Sequence, residues 1–175
     1  MKVLKTKFSG LKIIQQKKNS DNRGSLRETY RKNIVKWDEL VFDYATSSKK
    51  NVLRGFHFQH KFLQAKFVTV LRGKILDCVI DLRKGSKTFG KSYKIELSEK
   101  NCKSLLIPAG FAHGFLALDK ENIIFYGNNN YRSANSEVTI SWDDPSVNIK
   151  WPSGKKIISN KDKSGISFKE FVKKI

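Results

Sequence analysis

The histidines are the first candidates for chemistry, because the chain of 175 residues contains only three of them. His57 follows Arg54 and Gly55 in a strand-like segment, where strict alternation would place the guanidinium and the imidazole on opposite faces. Gly55 could bring them together through a β-bulge, a device that redirects side chains near active sites. His113 follows a Pro-Ala-Gly turn, and Gly114 permits close approach to the backbone. Each histidine could serve an active site or could be a hydrogen-bonded core residue.

The spacing of the histidines argues against a metal site. His57 and His60 are three residues apart, which on a strand points them to opposite faces, and the sequence has no His-x-His pair. A metal site in a β-barrel needs close nitrogen ligands on one face together with a carboxylate. We therefore predict that the protein uses no metal.

The two cysteines indicate neither redox chemistry nor zinc binding. Cys78 and Cys102 are too few for a disulfide framework and lack paired spacing, so we expect both to be core residues in a reducing cytoplasm. No stretch approaches the roughly 18 apolar residues of a membrane helix, and the first ten residues lack an apolar signal region. The sequence therefore predicts a soluble, cytoplasmic protein without a membrane partner.

The net charge of +19 raises the alternative of a nucleic-acid-binding module. The chain contains 28 Lys and only 7 Arg, and no run of cations exceeds two residues. Because bidentate recognition of phosphate and guanine favours Arg, this scattered, Lys-rich charge argues against a nucleic-acid partner. The same positive field would attract an anionic small substrate such as a sugar nucleotide.

The elements that must position these residues are mostly strands. Two β-branched runs, 66–71 and 74–82, flank Arg72 and Gly73, which predicts a hairpin with the two strands paired antiparallel. Gly, Pro and Asn separate the further strand-like runs, which are 52–59, 88–97, 104–107, 111–118, 122–126 and 137–142. Short strands at this spacing predict an all-β sandwich or barrel.

Helices are expected in only two places. One is 31–42, and the other begins at Ser167, where Ser167 and Glu170 have the spacing of a capping box. The length fits one domain, so we assign residues 1–175 to a single unit.

Five motifs in a fixed order cover almost the whole chain and point to one family. They are Asp21-Asn-Arg-Gly24 with Glu28, Arg54-Gly-Phe-His57-Phe-Gln59, Pro108-Ala-Gly-Phe-Ala-His113-Gly-Phe115, Asp143-Asp144-Pro145 with Ile149-Lys-Trp-Pro152, and Ser159-Asn-Lys-Asp162. Together they resemble dTDP-4-dehydrorhamnose 3,5-epimerases and related nucleotide-sugar epimerases. The resemblance implies a cupin-type antiparallel β-barrel or jelly roll, usually a homodimer, with no metal or other cofactor.

The chemistry that the resemblance implies is proton exchange next to a ketone. In a 4-keto sugar, the C–H bonds at C3 and C5 are acidified, so a base can remove a proton and an acid on the other face can return one. By resemblance, His57 is the base, Asp162 is its carboxylate partner and Tyr126 is the acid. Lys66 matches the lysine that stabilises the developing oxyanion.

The resemblance also assigns the substrate-binding residues. Arg54 matches an arginine that binds the diphosphate, and His113 lies where the family has a second pocket histidine. Gln59 would be a polar group lining the pocket. Arg23 and Glu28 would reach the site of a neighbouring subunit.

The chain departs from the family at the pocket rim. Gly127 replaces a lysine after the acid tyrosine, Arg132 replaces a tyrosine, and Asn19 or Ser20 stands where an aromatic residue precedes Arg23. Because these aromatic positions are associated with the nucleotide base, the substrate could be a GDP-linked 4-keto-6-deoxy-heptose or dTDP-4-keto-6-deoxyglucose, with C3, C5 or both inverted in surface-polysaccharide biosynthesis. A non-catalytic, sugar-nucleotide-binding cupin is the remaining alternative.

Overall fold

The computed structural model describes residues 1–37 and 40–174. The strands in these residues are β1 (Lys2–Lys5), β2 (Lys12–Gln15), β3 (Lys18–Asp21), β4 (Gly24–Arg27), β5 (Phe42–Lys49), β6 (Leu53–Gln59), β7 (Lys66–Arg72), β8 (Lys74–Asp81), β9 (Ser92–Ser98), β10 (Lys103–Ile107), β11 (Phe111–Ala117), β12 (Glu121–Asn128) and β13 (Glu137–Thr139). The helices are α1 (Lys32–Val35), α2 (Asn160–Lys163) and α3 (Phe168–Lys174), with a 3-10 turn at Ala134–Ser136.

Two antiparallel sheets enclose the core. One sheet has the order β1-β2-β10-β7-β12-β5, the other has the order β13-β6-β11-β8-β9, and β3 and β4 form a separate hairpin. Val70 and Ile124 from the first sheet pack in one buried cluster with Val79 and Phe115 from the second. Burial of apolar side chains between the sheets is the main stabilising contribution to such a fold. The all-β, cupin-type jelly roll expected from the sequence is thus confirmed.

The predicted pairing of the runs 66–71 and 74–82 is wrong. β7 lies between β10 and β12 in one sheet, whereas β8 lies between β11 and β9 in the other. The turn at Arg72 and Gly73 therefore carries the chain from one sheet to the other. Gly73 has a φ of +79°, and a Cβ there would lie 2.2 Å from the Glu121 carbonyl oxygen, so the turn needs glycine. A glycine turn marks a reversal of the chain but does not choose its hydrogen-bond partners.

The helix predicted at 31–42 is much shorter in the structure. α1 ends where Lys36 adopts a left-handed conformation with a φ of 52°, and Trp37 then stacks on Phe67 with their ring centroids 6.4 Å apart. Phe42 already belongs to strand β5, and positions 38 and 39 of the prediction lie outside the described residues. Packing of the aromatic side chain against the sheet outweighs the weak helix propensity of this segment.

The C-terminal helix is confirmed from Phe168 to Lys174. The Ser167 backbone N–H donates to Glu170 Oε2 at 2.8 Å, and the Glu170 N–H donates to Ser167 Oγ at 3.2 Å, as a capping box requires. Cys78 and Cys102 are buried and free, which confirms their place in the core. Within the described part of the chain, no helix has the length and apolar character needed to cross a membrane.

Candidate active site

A cavity of about 450 Å³ opens between the two sheets. This volume suits a small organic ligand. Its lining combines aromatic, basic and imidazole side chains: Phe42, Tyr44, Thr46, Arg54, His57, Gln64, Lys66, His113, Gly114, Phe115, Tyr126, Arg132, Glu137 and Lys161. Most of the residues singled out in the sequence therefore meet here.

The central strands β6 and β11 place two histidines side by side. His57 and His113 are direct cross-strand partners, and the register of the pairing shifts just beyond them. Gly55 has a φ of +111°, and a Cβ there would lie 2.6 Å from both the His113 carbonyl oxygen and Gly114 Cα. Glycine is thus required for this approach of the two backbones. The shift lets Arg54 and His57 line the same cavity, as the predicted bulge would.

His57 forms a short hydrogen bond with Asp162. The His57 Nε2 to Asp162 Oδ1 distance is 2.6 Å, and the Gly55 N–H donates to Asp162 Oδ2 at 3.3 Å. Burial acts to raise the pKa of Asp162, but the hydrogen bond and charge interaction with His57 outweigh it, so the pKa is lowered. The carboxylate thus stays ionised and fixes the ring, leaving Nδ1 of the imidazole for a substrate proton.

Helix α2 positions the carboxylate. Ser159 caps this helix, and its Oγ accepts the Asp162 N–H at 3.1 Å. The Asp162 side chain is 4% exposed whereas that of His57 is 33% exposed, so the ring faces the cavity while its partner is shielded.

A second His–Asp pair lies beside the first. His113 Nε2 is 2.8 Å from Asp77 Oδ2, and both side chains are buried. Among the described residues, none hydrogen-bonds to the other carboxylate oxygen, the buried Asp77 Oδ1. Burial raises the pKa of Asp77, although His113 and Lys66 act against this rise. Asp77 was missed in the sequence, where its signal is a carboxylate inside the apolar run 75–80.

Tyr126 faces this region from the other sheet, on β12. Its ring stacks on Tyr44 with the centroids 4.8 Å apart and the planes at 12°, and it meets the edge of His113 at 5.9 Å. Burial, with smaller contributions from Tyr44 and Asp77, raises the pKa of Tyr126 well above its usual value. The phenol is therefore protonated at neutral pH and can act as an acid.

The stack of rings continues towards the cavity mouth. Tyr44 stacks on Phe42 with centroids 5.9 Å apart, and Phe42 stacks on Tyr131 with centroids 5.8 Å apart. Neither Phe42 nor Tyr44 was identified from the sequence, because Phe42 was taken as the last residue of a helix and Tyr44 was assigned to no element.

Lys66 is the first residue of β7, and its side chain lines the cavity. Burial lowers its pKa to about 8, while Glu137 and Asp77 act to raise it. The ammonium group is therefore charged at pH 7 and loses its charge at moderately alkaline pH. A partly desolvated cation in this position can stabilise an oxyanion strongly.

Charged groups form the rim. Arg54 Nε donates to Ser48 Oγ at 3.1 Å, and Arg132 Nε donates to Glu137 Oε1 at 2.7 Å. Lys161 also pairs with Glu137, and the hydrogen bond from Arg132 is the main reason that the pKa of Glu137 falls to about 2. The rim thus contains three cations and one carboxylate, which leaves an excess of positive charge for an anionic ligand.

Three of the predicted binding residues lie outside the cavity lining. Gln59 is buried next to His57 in a separate cavity of about 20 Å³, where its Oε1 accepts the Ser133 N–H at 2.8 Å. Arg23 is exposed on the β3–β4 hairpin and pairs with Asp21, with Arg23 Nη2 2.7 Å from Asp21 Oδ2. Glu28 pairs with the neighbouring Arg31.

The substituted rim positions lie at two places. Asn19 and Ser20 line a surface depression with Arg23 on the hairpin. Gly127 is packed against Leu40, whose Cδ1 would lie 2.8 Å from a Cβ at this position, so a longer side chain would displace it. Within residues 1–37 and 40–174, no group of three or more His, Cys, Asp or Glu side chains could hold a metal ion.

The arrangement defines a class of enzyme. A His–Asp pair on one sheet and a protonated tyrosine on the facing sheet flank a cavity that also holds a lysine. Such a site can remove a proton from one side of a bound molecule and return one from the other, so the fold and site are those of a cupin-type epimerase.

Comparison with known proteins gives the family. The dTDP-4-dehydrorhamnose 3,5-epimerase family pattern matches residues 5–170. Proteins of that name from Shigella flexneri and Methanothermobacter thermautotrophicus are 38% and 40% identical to this chain over 174 and 168 residues. The alignments cover 96% of both chains for the first, and 92% of this chain and 91% of the relative for the second.

A solved structure agrees. The dTDP-6-deoxy-D-glucose-3,5-epimerase of Legionella pneumophila, in complex with dTDP-4-keto-L-rhamnose, superposes with a TM-score of 0.89 at 36% identity. The match covers 94% of this chain and 91% of that one. The chain therefore belongs to the dTDP-4-dehydrorhamnose 3,5-epimerase family, and it is an isomerase.

Proposed function

We propose that this protein epimerises C3 and C5 of dTDP-4-keto-6-deoxyglucose, with residues 1–175 acting as one epimerase domain. The observation that carries the proposal is the His57–Asp162 pair facing Tyr126 across one cavity, with Lys66 in its lining. The names of the relatives from Shigella flexneri and Methanothermobacter thermautotrophicus support the same reaction.

Each inversion uses the same four groups. The C4 ketone acidifies the neighbouring C–H bond, and His57 Nδ1 takes the proton while Asp162 stabilises the imidazolium that forms. The electron pair moves onto the ketone oxygen, where the Lys66 ammonium stabilises the enolate. Tyr126 then returns a proton to the opposite face of the carbon, which inverts the stereocentre. His57 then releases its proton to solvent, and the Tyr126 phenolate takes one up, which completes the cycle.

The proposal favours a dTDP-linked substrate over the GDP-linked heptose. The Legionella pneumophila relative is in complex with a dTDP-linked sugar, and the relatives from Shigella flexneri and Methanothermobacter thermautotrophicus are also named for dTDP-linked substrates. The GDP-linked heptose stays a prediction drawn from Gly127, Arg132 and the Asn19–Ser20 segment.

The reaction can be tested by incubating the protein with dTDP-4-keto-6-deoxyglucose in deuterated water and following C3 and C5 by NMR. We expect deuterium at both carbons together with inversion. GDP-4-keto-6-deoxy-heptose, assayed in parallel, should be turned over more slowly. A protein that binds the sugar nucleotide without any exchange would be the non-catalytic cupin, and a faster reaction with the GDP-linked heptose would reverse the choice of substrate.

Replacing Tyr126 by Phe should separate the two halves of the reaction. The substitution removes only the hydroxyl group, so proton removal by His57 persists while proton return from the opposite sheet fails. Deuterium should enter with retention of configuration, and NMR should detect little epimer. Full epimer formation by Tyr126→Phe would mean that another acid acts.

We also propose that the enzyme is a homodimer in which Arg23 and Glu28 approach the neighbouring site. Support comes from the exposed position of Arg23 on the β3–β4 hairpin, away from the cavity of its own chain. Arg23→Ala should raise KM by roughly ten- to a hundredfold with a smaller change in kcat, because a contact with the diphosphate contributes mainly uniform binding. Lys169→Ala is a control that removes an exposed cation on helix α3 instead of on the hairpin. An active monomer in solution would contradict the role of Arg23.

A further inference from the structure

Tyr44 lies flat against the proton-donating tyrosine. Tyr44 on β5 and Tyr126 on β12 are direct cross-strand partners, and their rings stack with centroids 4.8 Å apart and planes at 12°. Tyr126 also makes an edge-to-face contact with the His113 ring, with centroids 5.9 Å apart and planes at 66°. These two neighbours fix the plane of the Tyr126 ring.

The two stacked tyrosines differ in burial. Tyr126 is 4% exposed, whereas Tyr44 is 40% exposed and lines the cavity. The Tyr44 ring therefore covers a face of Tyr126 that would otherwise meet solvent. Such a cover matters because water near an enolate can return a proton without control of the face.

We propose that Tyr44 is a positioning residue, whose ring holds Tyr126 in the orientation that returns the proton and keeps water away from it. The inference rests on the proposed function, in which Tyr126 is the acid. The planar ring of Tyr44 does this work, and its hydroxyl group is dispensable. Loss of the ring therefore uncouples proton removal, which His57 still performs, from inversion.

The experiment compares Tyr44→Leu with Tyr44→Phe in the deuterium assay. Tyr44→Leu should lower kcat for epimer formation by roughly 10- to 100-fold, the usual effect of misplacing a reacting group, with KM changed much less. Deuterium incorporation with retention should persist, so the ratio of epimer to exchanged substrate falls. Tyr44→Phe keeps the planar ring and should retain most of the wild-type ratio of epimer to exchanged substrate.

Tyr93→Leu is the matched control, because Tyr93 is a partly buried tyrosine on β9 that packs on Phe8, with ring centroids 5.7 Å apart, outside the cavity lining. This variant should leave the ratio of epimer to exchange unchanged. Thermal unfolding reports whether each variant folds. Tyr44→Met, whose flexible, unbranched side chain can fill irregular gaps but is not planar, replaces Tyr44→Leu if that variant does not fold.

Two results would overturn the inference. One is a wild-type ratio in Tyr44→Leu or Tyr44→Met, and the other is a loss in Tyr44→Phe as large as that in Tyr44→Leu. If either occurs while Tyr126→Phe still separates exchange from inversion, the proposed function survives and only the role of Tyr44 fails. Absence of exchange in the wild-type protein would overturn both.

Discussion

The two His–Asp pairs of this protein use the same groups in different surroundings. In the His57–Asp162 pair the imidazole is 33% exposed to the cavity, and its carboxylate comes from a helix 105 residues further along the chain. In the His113–Asp77 pair both side chains are buried, and the carboxylate comes from the adjacent strand β8. The two rings are nevertheless cross-strand partners on β6 and β11.

The difference separates two roles. A ring that is held by an ionised carboxylate but open to the cavity can take up and release protons during turnover. A fully buried pair exchanges protons with solvent slowly, and its charge is costly to change, so it is suited to a fixed electrostatic and structural role beside Tyr126. Three predictions test this division.

The largest effect should come from removing the exposed imidazole. His57→Ala should lower deuterium exchange by about 10²–10⁴-fold, because the exposed imidazole that takes the proton is lost and the neighbouring His113 is buried against Asp77. His113→Asn should keep measurable exchange, since the base stays in place. NMR of the 4-keto sugar in deuterated water measures both. Equal losses in the two variants, with both proteins folded, would end the division of roles.

When stability is measured instead of exchange, the buried pair should show the larger effect, and removing each carboxylate in turn tests this. Asp77→Ala leaves the buried His113 without its partner and should lower the free energy of unfolding by about 3–5 kcal/mol. Asp162→Ala leaves His57, which water can reach, and should cost about 1–2 kcal/mol. Urea denaturation followed by fluorescence gives both values. A larger loss in Asp162→Ala would show that the exposed pair also carries the structural role.

The smallest effect concerns the pH dependence of catalysis. Because burial lowers the pKa of Lys66 to about 8, its charge is present below that pH and is lost above it, so kcat should fall at alkaline pH. Lys66→Arg, which stays charged, should remove this alkaline decline. Asp77 acts to raise the pKa of Lys66, so Asp77→Asn should move the decline to lower pH.

Asp162→Asn is the control for this pH profile, because Asp162 is not among the groups that shift the pKa of Lys66. It should lower the rate without moving the alkaline decline. Profiles of kcat between pH 6 and 10, measured for the three variants and the wild-type enzyme, decide between these outcomes. An unchanged decline in Asp77→Asn would show that the buried pair does not influence Lys66.

The strands that pass through the core could be predicted from sequence. β6, β7, β8, β11 and β12 all follow apolar or β-branched runs bounded by turn residues, and their positions agree with the prediction within a few residues. The edge strands of the smaller sheet, β9 and β13, were also predicted, but those of the larger sheet were not. β5 and β1 are polar strands at the margins of the larger sheet, and their pairing comes from the neighbouring strand rather than from their own composition.

Some residues of the candidate site could likewise be predicted from the sequence, and others could not. His57, Lys66 and Tyr126 could be identified because their motifs resemble those of a family, and the structure gathers them around one cavity. Asp77 could not be identified from the sequence, because a carboxylate in an apolar strand is recognisable as functional only when its partner across the sheet is known. Tyr44 was missed because no strand was predicted between the helix assigned to 31–42 and the run 52–59.

The contact between Gly55 and Gly114 limits where this enzyme can diverge. A Cβ at Gly114 would lie 2.8 Å from the Arg54 carbonyl oxygen, just as one at Gly55 would collide with β11. Any mutation at either glycine would push the two histidine-bearing strands apart, so natural selection can alter little at this crossing. Rim residues such as Arg132 and Tyr131 carry no such constraint. New substrates can therefore evolve at the mouth of the cavity while the proton chemistry beneath it is inherited unchanged.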